Sequence, residues 1–504
     1  MTRHTASLVI TGHDLDFRTH AKAAAGALPV SVAPSAFNAI AASRAVVETI
    51  LRENRPAYGI TTGVGSQKDF AVDPASAAAY NARLVAAHAT RVPGPLLPKE
   101  AVRGALIYLA NQFANGLSGV SPELVELIAA AINGPDMPDI DGSGSVGASD
   151  LVPNAQLAHW LLNRPEARKL GLPRPKETLS LINNNAVSLA QGAIALASAE
   201  RLLAAFDLAA AAALEGFRGN LGAISEAANR AHRREGQRRS AQRLRNLLGD
   251  SRLWKEGEAR LLQDPLSFRC VSQVHGASAE VFTEAARIWN SELNSVNDNP
   301  IIDQETAGAV SNGNMDTTRL TLAADHLRQA LGKMCDLAGE RVHKQQWPAF
   351  TGLPTGLAEE GGAVGGVQFL NLGHITASLV TSVKIWARPS LLNSVGQVAD
   401  GVEDTASHAL HAVHDLMRVI DAGWKIAGLE LMIALWAMKR RRLRKADLGR
   451  GIRPAMEIVG EMLPIGREGD AIFDIAPLIA ELQSGPLLDR ALTEAGERID
   501  LVLS

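Results

Sequence analysis

The sequence predicts an all-α protein built around a long central helical bundle, with a small mixed region near the N-terminus. Alanine and leucine dominate the chain and aromatic residues make up only 4% of it. Alanine favours helix and lets neighbouring helices approach closely. Residues 194–214 are apolar on nearly every face, as in a buried helix. Residues 317–345 carry their polar side chains on one side, which is typical of an amphipathic helix.

The remaining elements can be placed in order along the chain. The stretch Leu8-Val9-Ile10 predicts a short strand, and little else alternates as strands do. Residues 101–133 predict helix with an interruption at 116–119, where two glycines stand. We expect an N-terminal domain over 1–190, the central bundle over 191–440 and a C-terminal helical segment over 441–504.

Composition narrows the classes of function. The net charge of −3 gives no general attraction to nucleic acid. Two cysteines without a spaced motif fit a reducing compartment, and we expect a cytoplasmic protein without a signal peptide. The apolar stretch 426–438 is too short to span a membrane. The basic run 439–445 could contact nucleic acid or anionic lipid, but an isolated run of this kind predicts a solvated helix end.

Three histidines are spaced three residues apart at His408, His411 and His414. That spacing puts imidazoles roughly on one helix face, where zinc is conceivable. Positions three apart drift around a helix, and no cysteine or HExxH pattern accompanies them. We therefore predict surface or interface residues and no metal site.

Polar loops recur between the helices and indicate a shared site. They are YGITTGVG (58–65), GSGSVGASD (142–150), LINNN (181–185), QDPLSFR (263–269), NSVNDNP (294–300) and SNGNMD (311–316). One such loop would be an ordinary connection. Six of them favour convergence on a functional site, because binding residues concentrate on loops held by a rigid scaffold.

These loops, together with GHDLDF near the start and VED at 402–404, resemble motifs of the aromatic amino acid lyase family in the same order. The match runs from about residue 8 to about residue 440, and within the family it is similar to the histidine ammonia-lyases. The resemblance implies an almost all-helical protomer of the fumarase type, although the fumarases' Gly-Ser-Ser-x-Met-Pro loop is not found. It also implies a homotetramer whose active sites combine residues of several subunits.

The family eliminates ammonia from an aromatic amino acid with the help of an electrophile made from its own backbone. An Ala-Ser-Gly triad cyclises to methylidene-imidazolone when the glycine nitrogen attacks the alanine carbonyl. Here the corresponding triad is Ala148-Ser149-Asp150, and the glycine is missing. The attacking nitrogen would belong to Asp150, which carries a Cβ and a charge. Either cyclisation still occurs, or no prosthetic group forms, and we favour its absence.

Other departures from the family pattern cluster around the same feature. The tyrosine of the family's Gln-Asp-Pro-Tyr-Ser motif is replaced by Leu266, which cannot form a hydrogen bond through its side chain. An Asn-Gly-Thr turn becomes residues 183–185, all asparagine. Gly-Asn-Phe-His becomes 313–316, in which Asn314 keeps the motif's asparagine and Met315 replaces its phenylalanine, so an aromatic wall is lost.

The family's catalytic base is kept as Tyr58. A tyrosine has a reference pKa of about 10, so a base of this type needs a cationic neighbour. Lys68 lies in the same loop, and Lys384 matches a lysine of the histidine enzymes. An exposed charge is an equally good interpretation of either lysine.

The resemblance also assigns the binding groups. His88 would bond the substrate's ring, unless it is an ordinary core histidine. Arg269 would clamp a carboxylate with two hydrogen bonds, unless a protein carboxylate occupies it. Glu403 would face the substrate's amine or ring, unless it only marks a helix N-terminus. Asn183 and Gln263 would add neutral hydrogen bonds.

Together these residues predict a carbon–nitrogen lyase that acts on a histidine-like substrate without the electrophile. A trimethylammonium betaine, such as ergothioneine, would release trimethylamine unaided. A histidine ammonia-lyase with a prosthetic group derived from Asp150 is the first alternative. A catalytically inactive relative with a binding role is the second.

Overall fold

The computed structural model describes residues 7–73, 76–358, 370–393, 396, 398–462 and 474–501, and its helical content confirms the all-α prediction. The α-helices in these residues are α1 Phe17–Ala24, α2 Pro34–Arg52, α3 Ala77–His88, α4 Lys99–Ala114, α5 Pro122–Ile132, α6 Leu151–Leu162, α7 Pro165–Lys169, α8 Glu177–Ile182, α9 Ala186–Phe217, α10 Glu226–Arg230, α11 Glu235–Leu247, α12 Leu266–Arg269, α13 Val271–Leu293, α14 Thr318–Gln345, α15 Pro348–Thr351, α16 Leu370–Trp386, α17 Ala409–Arg440, α18 Arg453–Met462, α19 Ala476–Ser484 and α20 Pro486–Glu494. The strands are β1 Leu8–Ile10, β2 Val30–Val32, β3 Ile301–Asp303 and β4 Gly308–Val310.

The chain divides into two compact units, and each collects three separate segments. The first unit contains Met1–Ala197, Ala285–Ala324 and Pro389–His414. The second contains Ser198–Glu284, Asp325–Arg388 and Asp415–Ser504. The domain boundaries near residues 190 and 440 stay a prediction from the sequence.

Short strands and buried polar contacts organise the first unit. Strand β1 pairs in parallel with β2, which confirms the small mixed N-terminal region, while β3 and β4 form an antiparallel hairpin. The ammonium of Lys176 donates to both carboxylate oxygens of Asp298 at 2.8 and 2.9 Å, and both side chains are fully buried. This ion pair fixes the loop 294–300 beside the start of α8.

Apolar helix surface and one buried ion pair form the core of the second unit. Residues 426–438 of α17 are buried on all sides, which is the environment that an apolar helix requires. The one charged residue of this stretch is Glu430. It is also buried, and its carboxylate is paired with the Arg341 guanidinium of α14. The third nitrogen of the Arg341 guanidinium, Nη1, donates to the carbonyl oxygen of Ser267 at 2.9 Å and thereby anchors the loop 263–269.

The long helices confirm the sequence patterns closely. Residues 194–214 lie inside α9, and 317–345 differ from α14 by one residue. The interruption at 116–119 separates α4 from α5. Among the described residues, no helix combines the length and apolar character needed to cross a membrane.

Two expectations need correction. His408 is buried rather than at the surface, and it precedes α17 with φ +56° instead of lying in the helix. Its Nε2 is 2.9 Å from the carbonyl oxygen of Asn393. The basic run is only partly solvated, because Arg441 donates to the carbonyl oxygens of Gly216 and Thr351 at 2.7 Å each.

Candidate functional site

A cavity of about 590 Å³ in the first unit collects predicted residues from distant parts of the chain. Its lining residues are Tyr58, Val64, Gly65, Ser66, Gln67, Tyr80, Arg83, Leu84, Ala87, His88, Leu151, Leu179, Ile182, Asn183, Ala399 and Glu403. We call it the first cavity. It brings together a phenol, an imidazole, an amide and a carboxylate that the sequence assigned to one site.

The loop after α2 positions Tyr58 at the first cavity. Gly59, which follows it, has φ +66°, and a Cβ at that position would lie 2.2 Å from Leu179. Only glycine fits this tight turn without strain. The backbone N–H of Gly65 donates to the Tyr58 phenol oxygen at 3.0 Å. This contact fixes the position of the phenol oxygen at the cavity.

The last residue of α3, His88, presents one ring nitrogen for other partners. Its Nδ1 is 2.8 Å from the Leu84 carbonyl oxygen. A carbonyl oxygen only accepts, so this contact places a hydrogen on Nδ1. In the neutral ring, Nε2 then has a lone pair with which it can accept a hydrogen bond.

A half-buried carboxylate, Glu403, completes the cavity. Its backbone exchanges hydrogen bonds with Val398 at 3.0 and 3.2 Å, which holds the segment in place. Burial raises the pKa of Glu403, and the neighbouring His88 counteracts this shift more weakly. The site thus contains an acid whose proton is held more tightly than in an ordinary glutamic acid.

The turn that ends at Asp150 lies behind this cavity and is held by several hydrogen bonds. Asp150 is fully buried, and its carboxylate accepts from the Ser145 hydroxyl at 2.7 Å and from the Ser188 hydroxyl and amide at 2.8 and 2.7 Å. Its own backbone N–H donates to the Asn184 carbonyl at 2.8 Å. Burial raises the pKa of Asp150 although these donors oppose the shift.

The neighbouring residues connect that turn to the first cavity. Ser149 has φ +71°, an unfavourable conformation for a residue with a Cβ, and its hydroxyl donates to the Asn183 side-chain oxygen at 2.7 Å. Ala148 forms an isolated bridge with Asp316. At Gly147 a Cβ would lie 2.4 Å from the His408 nitrogen. The chain is therefore too tightly packed here for a larger residue at 147.

The loop 311–316 meets the same group of loops through backbone atoms. The carbonyl oxygen of Met315 accepts from the Asn185 side chain at 2.8 Å, and that of Asn314 accepts from the Asn297 side chain at 3.0 Å. Asn314 itself is exposed. Five of the six predicted loops thus meet in the first unit.

Other predicted residues belong to the second unit. They are Gln263, Leu266, Arg269 and Lys384. The Arg269 Nε donates to the Asp264 carbonyl oxygen at 2.7 Å, and Leu266 is exposed. Lys384 is exposed and pairs with Asp336 at 2.6 Å.

Neither lysine considered for activation of Tyr58 lines the first cavity. In the first unit, Lys68 is exposed and pairs with the adjacent Asp69. It is also absent from the residues that line the cavity, as is Lys384. Both contacts match the interpretation of these side chains as exposed charges.

Two polar residues of α3 that line the first cavity escaped the sequence analysis, namely Tyr80 and Arg83. Both lie on α3 with His88. Tyr80 precedes His88 by eight residues and Leu84 by four, so the three share one helix face. Helix phase counted back from His88 would have found Tyr80. Burial raises the pKa of Tyr80, which keeps its phenol protonated and able to donate.

The described residues contain no group of three or more histidine, cysteine, aspartate or glutamate side chains suited to hold a metal ion. Cys270 and Cys335 are free thiols. The first cavity offers a phenol, an imidazole and a carboxylate, which suit proton transfer and binding of a polar ring.

Comparison with known proteins identifies the family. The family described as "Aromatic amino acid lyase" matches residues 15–461. A histidine ammonia-lyase from Gloeobacter violaceus is 33% identical, covering 98% of this chain and 99% of that protein. The crystal structure of ergothionase from Treponema denticola, in complex with desmethyl-ergothioneine sulfonic acid, is 26% identical with a TM-score of 0.86, covering 96% of this chain and 99% of that one. Histidine ammonia-lyase from Trypanosoma cruzi is 26% identical with a TM-score of 0.87, covering 97% and 96%. The chain therefore belongs to the aromatic amino acid lyase family and is a carbon–nitrogen lyase.

Proposed function

We propose that this lyase removes trimethylamine from a histidine-like betaine such as ergothioneine and leaves a urocanate-type acrylic acid, without a methylidene-imidazolone group. The contacts of Asp150 carry this proposal. The relationship to ergothionase adds support, because that enzyme was crystallised with an ergothioneine derivative.

The turn at 148–150 does not fit the prosthetic group of the family. Cyclisation needs the Asp150 nitrogen to attack the Ala148 carbonyl carbon, but this nitrogen donates to Asn184. The Asp150 carboxylate is also held by three hydrogen bonds to two serines. Breaking them would leave buried polar groups without partners, at a cost of about 1–3 kcal/mol each. The aspartate thus stabilises an open turn.

A quaternary amine suits a site without an electrophile. Its nitrogen has no lone pair with which to attack one, and it leaves as a neutral amine. In the proposed step Tyr58, as phenolate, takes the proton from the β carbon, and the C–H electrons form the Cα–Cβ double bond. The Cα–N bond breaks and its electron pair departs on nitrogen. Atoms and charge balance without a co-reactant.

Binding is divided among the other residues. The free Nε2 of His88 accepts a hydrogen bond from the substrate's ring, and Glu403 faces the ring or the cationic nitrogen. Asn183 adds a neutral hydrogen bond. Arg269 holds the carboxylate of the substrate. Arg341 positions the loop that contains Arg269, because it donates to the Ser267 carbonyl oxygen. We propose a cytoplasmic homotetramer whose sites share residues of several subunits, with no nucleic-acid or membrane partner.

Subunit sharing has a direct test. Tyr58→Phe and Arg269→Ala chains are each expected to be inactive alone. Mixed tetramers assembled from both should regain activity, because some sites then receive Tyr58 and Arg269 from different intact copies. Mixed tetramers that stay inactive would contradict shared sites.

The histidine ammonia-lyases among the relatives favour a second candidate. In that case Ala148-Ser149-Asp150 cyclises and the substrate is L-histidine. A relative without catalytic activity is no longer a candidate, because the chain belongs to a family of enzymes.

Intact mass and product assays distinguish the two enzymes. We expect the purified chain to have its encoded mass and to release trimethylamine from ergothioneine or histidine betaine. A chain lighter by two water molecules that deaminates histidine and leaves both betaines intact would establish the ammonia-lyase instead. Asp150→Gly with an unchanged mass would show that the turn, rather than this side chain alone, prevents cyclisation.

A further inference from the structure

A second cavity, of about 250 Å³, lies wholly within the second unit. We call it the second cavity. Helices α9, α11, α13 and α14 line it together with the segment after α20. Its apolar wall consists of Leu203, Ala279, Met334 and Leu501. The reaction proposed above uses none of its residues.

A histidine–aspartate pair forms the polar side of this cavity. The His275 Nδ1 is 2.7 Å from Asp207 Oδ1, and the residues are only 3% and 4% exposed. Because the carboxylate accepts, Nδ1 carries a hydrogen. The other ring nitrogen, Nε2, is buried and has no hydrogen-bond partner in the part of the chain that the structure describes.

Two further polar side chains, both on α11, are also buried and have an atom without a hydrogen-bond partner among the described residues. Ser240 and Arg243 are each 7% exposed. The Ser240 hydroxyl and the Arg243 Nη1 lack hydrogen-bond partners among the described residues. Buried polar atoms are nearly always satisfied in folded proteins, so three such atoms around one cavity indicate an absent partner.

Two of the three acids that line the cavity, Asp207 and Glu497, already have partners within the protein. Asp207 is bound by His275 and lies 3.6 Å from Arg243 Nη1. Glu497 accepts from the Asn246 side chain at 2.5 Å and lies 3.5 Å from Arg243 Nε. The unsatisfied Arg243 Nη1 only donates and the Ser240 hydroxyl can donate, so a ligand with acceptor oxygens satisfies both.

We propose that the second cavity binds a small organic monocarboxylate. The carboxylate accepts from Arg243 Nη1 and the Ser240 hydroxyl. In the neutral ring His275 Nε2 is an acceptor, so it bonds a water rather than the carboxylate. The apolar body packs on Leu203 and Met334. The cavity far exceeds the 10–15 Å³ that one water needs and falls just below the usual range of ligand pockets. A hydrolytic triad is a poorer interpretation, because the described structure has no hydrogen bond between the serine and the imidazole.

We choose benzoate as the probe for binding in the second cavity. Benzamide, which has nearly the same size but no charge, is the control. Titration calorimetry uses the full-length Arg269→Ala chain, in which the proposed substrate clamp is removed. We expect saturable benzoate binding, and benzamide binding that is at least tenfold weaker. Absence of saturable benzoate binding, or equal affinity for benzamide, would overturn the proposal, and water would then fill the cavity.

Variants assign the binding to this cavity. Ser240→Ala and Arg243→Lys should each weaken benzoate binding by roughly tenfold, because each removes a hydrogen bond to a charged group. Arg238→Lys, an exposed position on the same helix that does not line the cavity, is the matched control and should bind as before. A crystal structure with 4-bromobenzoate should show the bromine in this cavity. Bromine found only elsewhere would refute the assignment, even if Arg243→Lys proved unstable.

Discussion

The two cavities use the same residue types in different arrangements. In the first, His88 bonds a backbone carbonyl, and its interaction with Glu403 is electrostatic. In the second, His275 and Asp207 bond each other at 2.7 Å. An imidazole and a carboxylate that are not joined can each bind substrate or move a proton. Once they are hydrogen-bonded to each other, only the second ring nitrogen of the imidazole is left to contact a ligand. The contacts between such residues therefore decide their role.

The strongest test of this difference is Tyr58→Phe. We expect the substitution to lower the turnover number by about 10²- to 10⁴-fold, because it removes the base. Stopped assays of amine release measure the loss. The same variant should keep its affinity for benzoate in the second cavity. If binding there were lost as well, the two cavities would not be independent.

The next largest effect is expected for Glu403. Burial raises its pKa, so the carboxylate becomes protonated at a higher pH than an ordinary glutamic acid. Activity that needs the carboxylate should therefore fall as the pH drops through that raised value. Glu403→Gln should lower kcat/KM by roughly 10- to 100-fold and abolish this acidic limb. An unchanged limb would assign the titration to another group.

Asp150 tests the turn behind the first cavity. Asp150→Ala leaves two serine hydroxyls and one amide without their acceptor and should destabilise the fold by on the order of 3 kcal/mol. Asp150→Asn, a closer match in shape, should cost less. Chemical denaturation measures both. Equal stability of the alanine variant and the parent would remove the structural role given to this carboxylate.

The pH dependence of stability provides a further check on the same residue. A folded-state pKa above the unfolded value means that the folded state binds the proton more tightly. Stability should therefore decline as the pH rises from the unfolded pKa of Asp150 through its raised folded one. Asp150→Asn should remove this contribution to the slope, and a slope unchanged in that variant would contradict the assignment.

The smallest effect is expected for Tyr80→Phe. The phenol is kept protonated by burial and lines the first cavity beside Tyr58, so it can donate to the substrate but cannot replace the base. Loss of one neutral hydrogen bond corresponds to about a fivefold change in kcat/KM. An effect as large as that of Tyr58→Phe would exchange the roles of the two tyrosines.

Local patterns identified much of the first cavity. Recognisable family motifs contain Tyr58, Asn183 and Glu403. The resemblance to the family also assigned His88, which is the last residue of α3. Tyr80 belongs to no motif and could be found only from the helix phase relative to His88. The position of His408 was misjudged because its left-handed backbone, with φ +56°, ends the regular spacing on which the prediction depended.

The sequence by itself determined the helical class, the long helices α9 and α14, and the loops around Tyr58 and Asp150, because these follow from propensity, periodicity and short motifs within one segment. Only the tertiary structure decided what Asp150 bonds and how the second cavity forms. Asp207 and His275 are 68 positions apart in sequence, and their hydrogen bond depends on how two helices pack. Packing of this kind depends on many side chains at once, so the pattern of one segment does not reveal it.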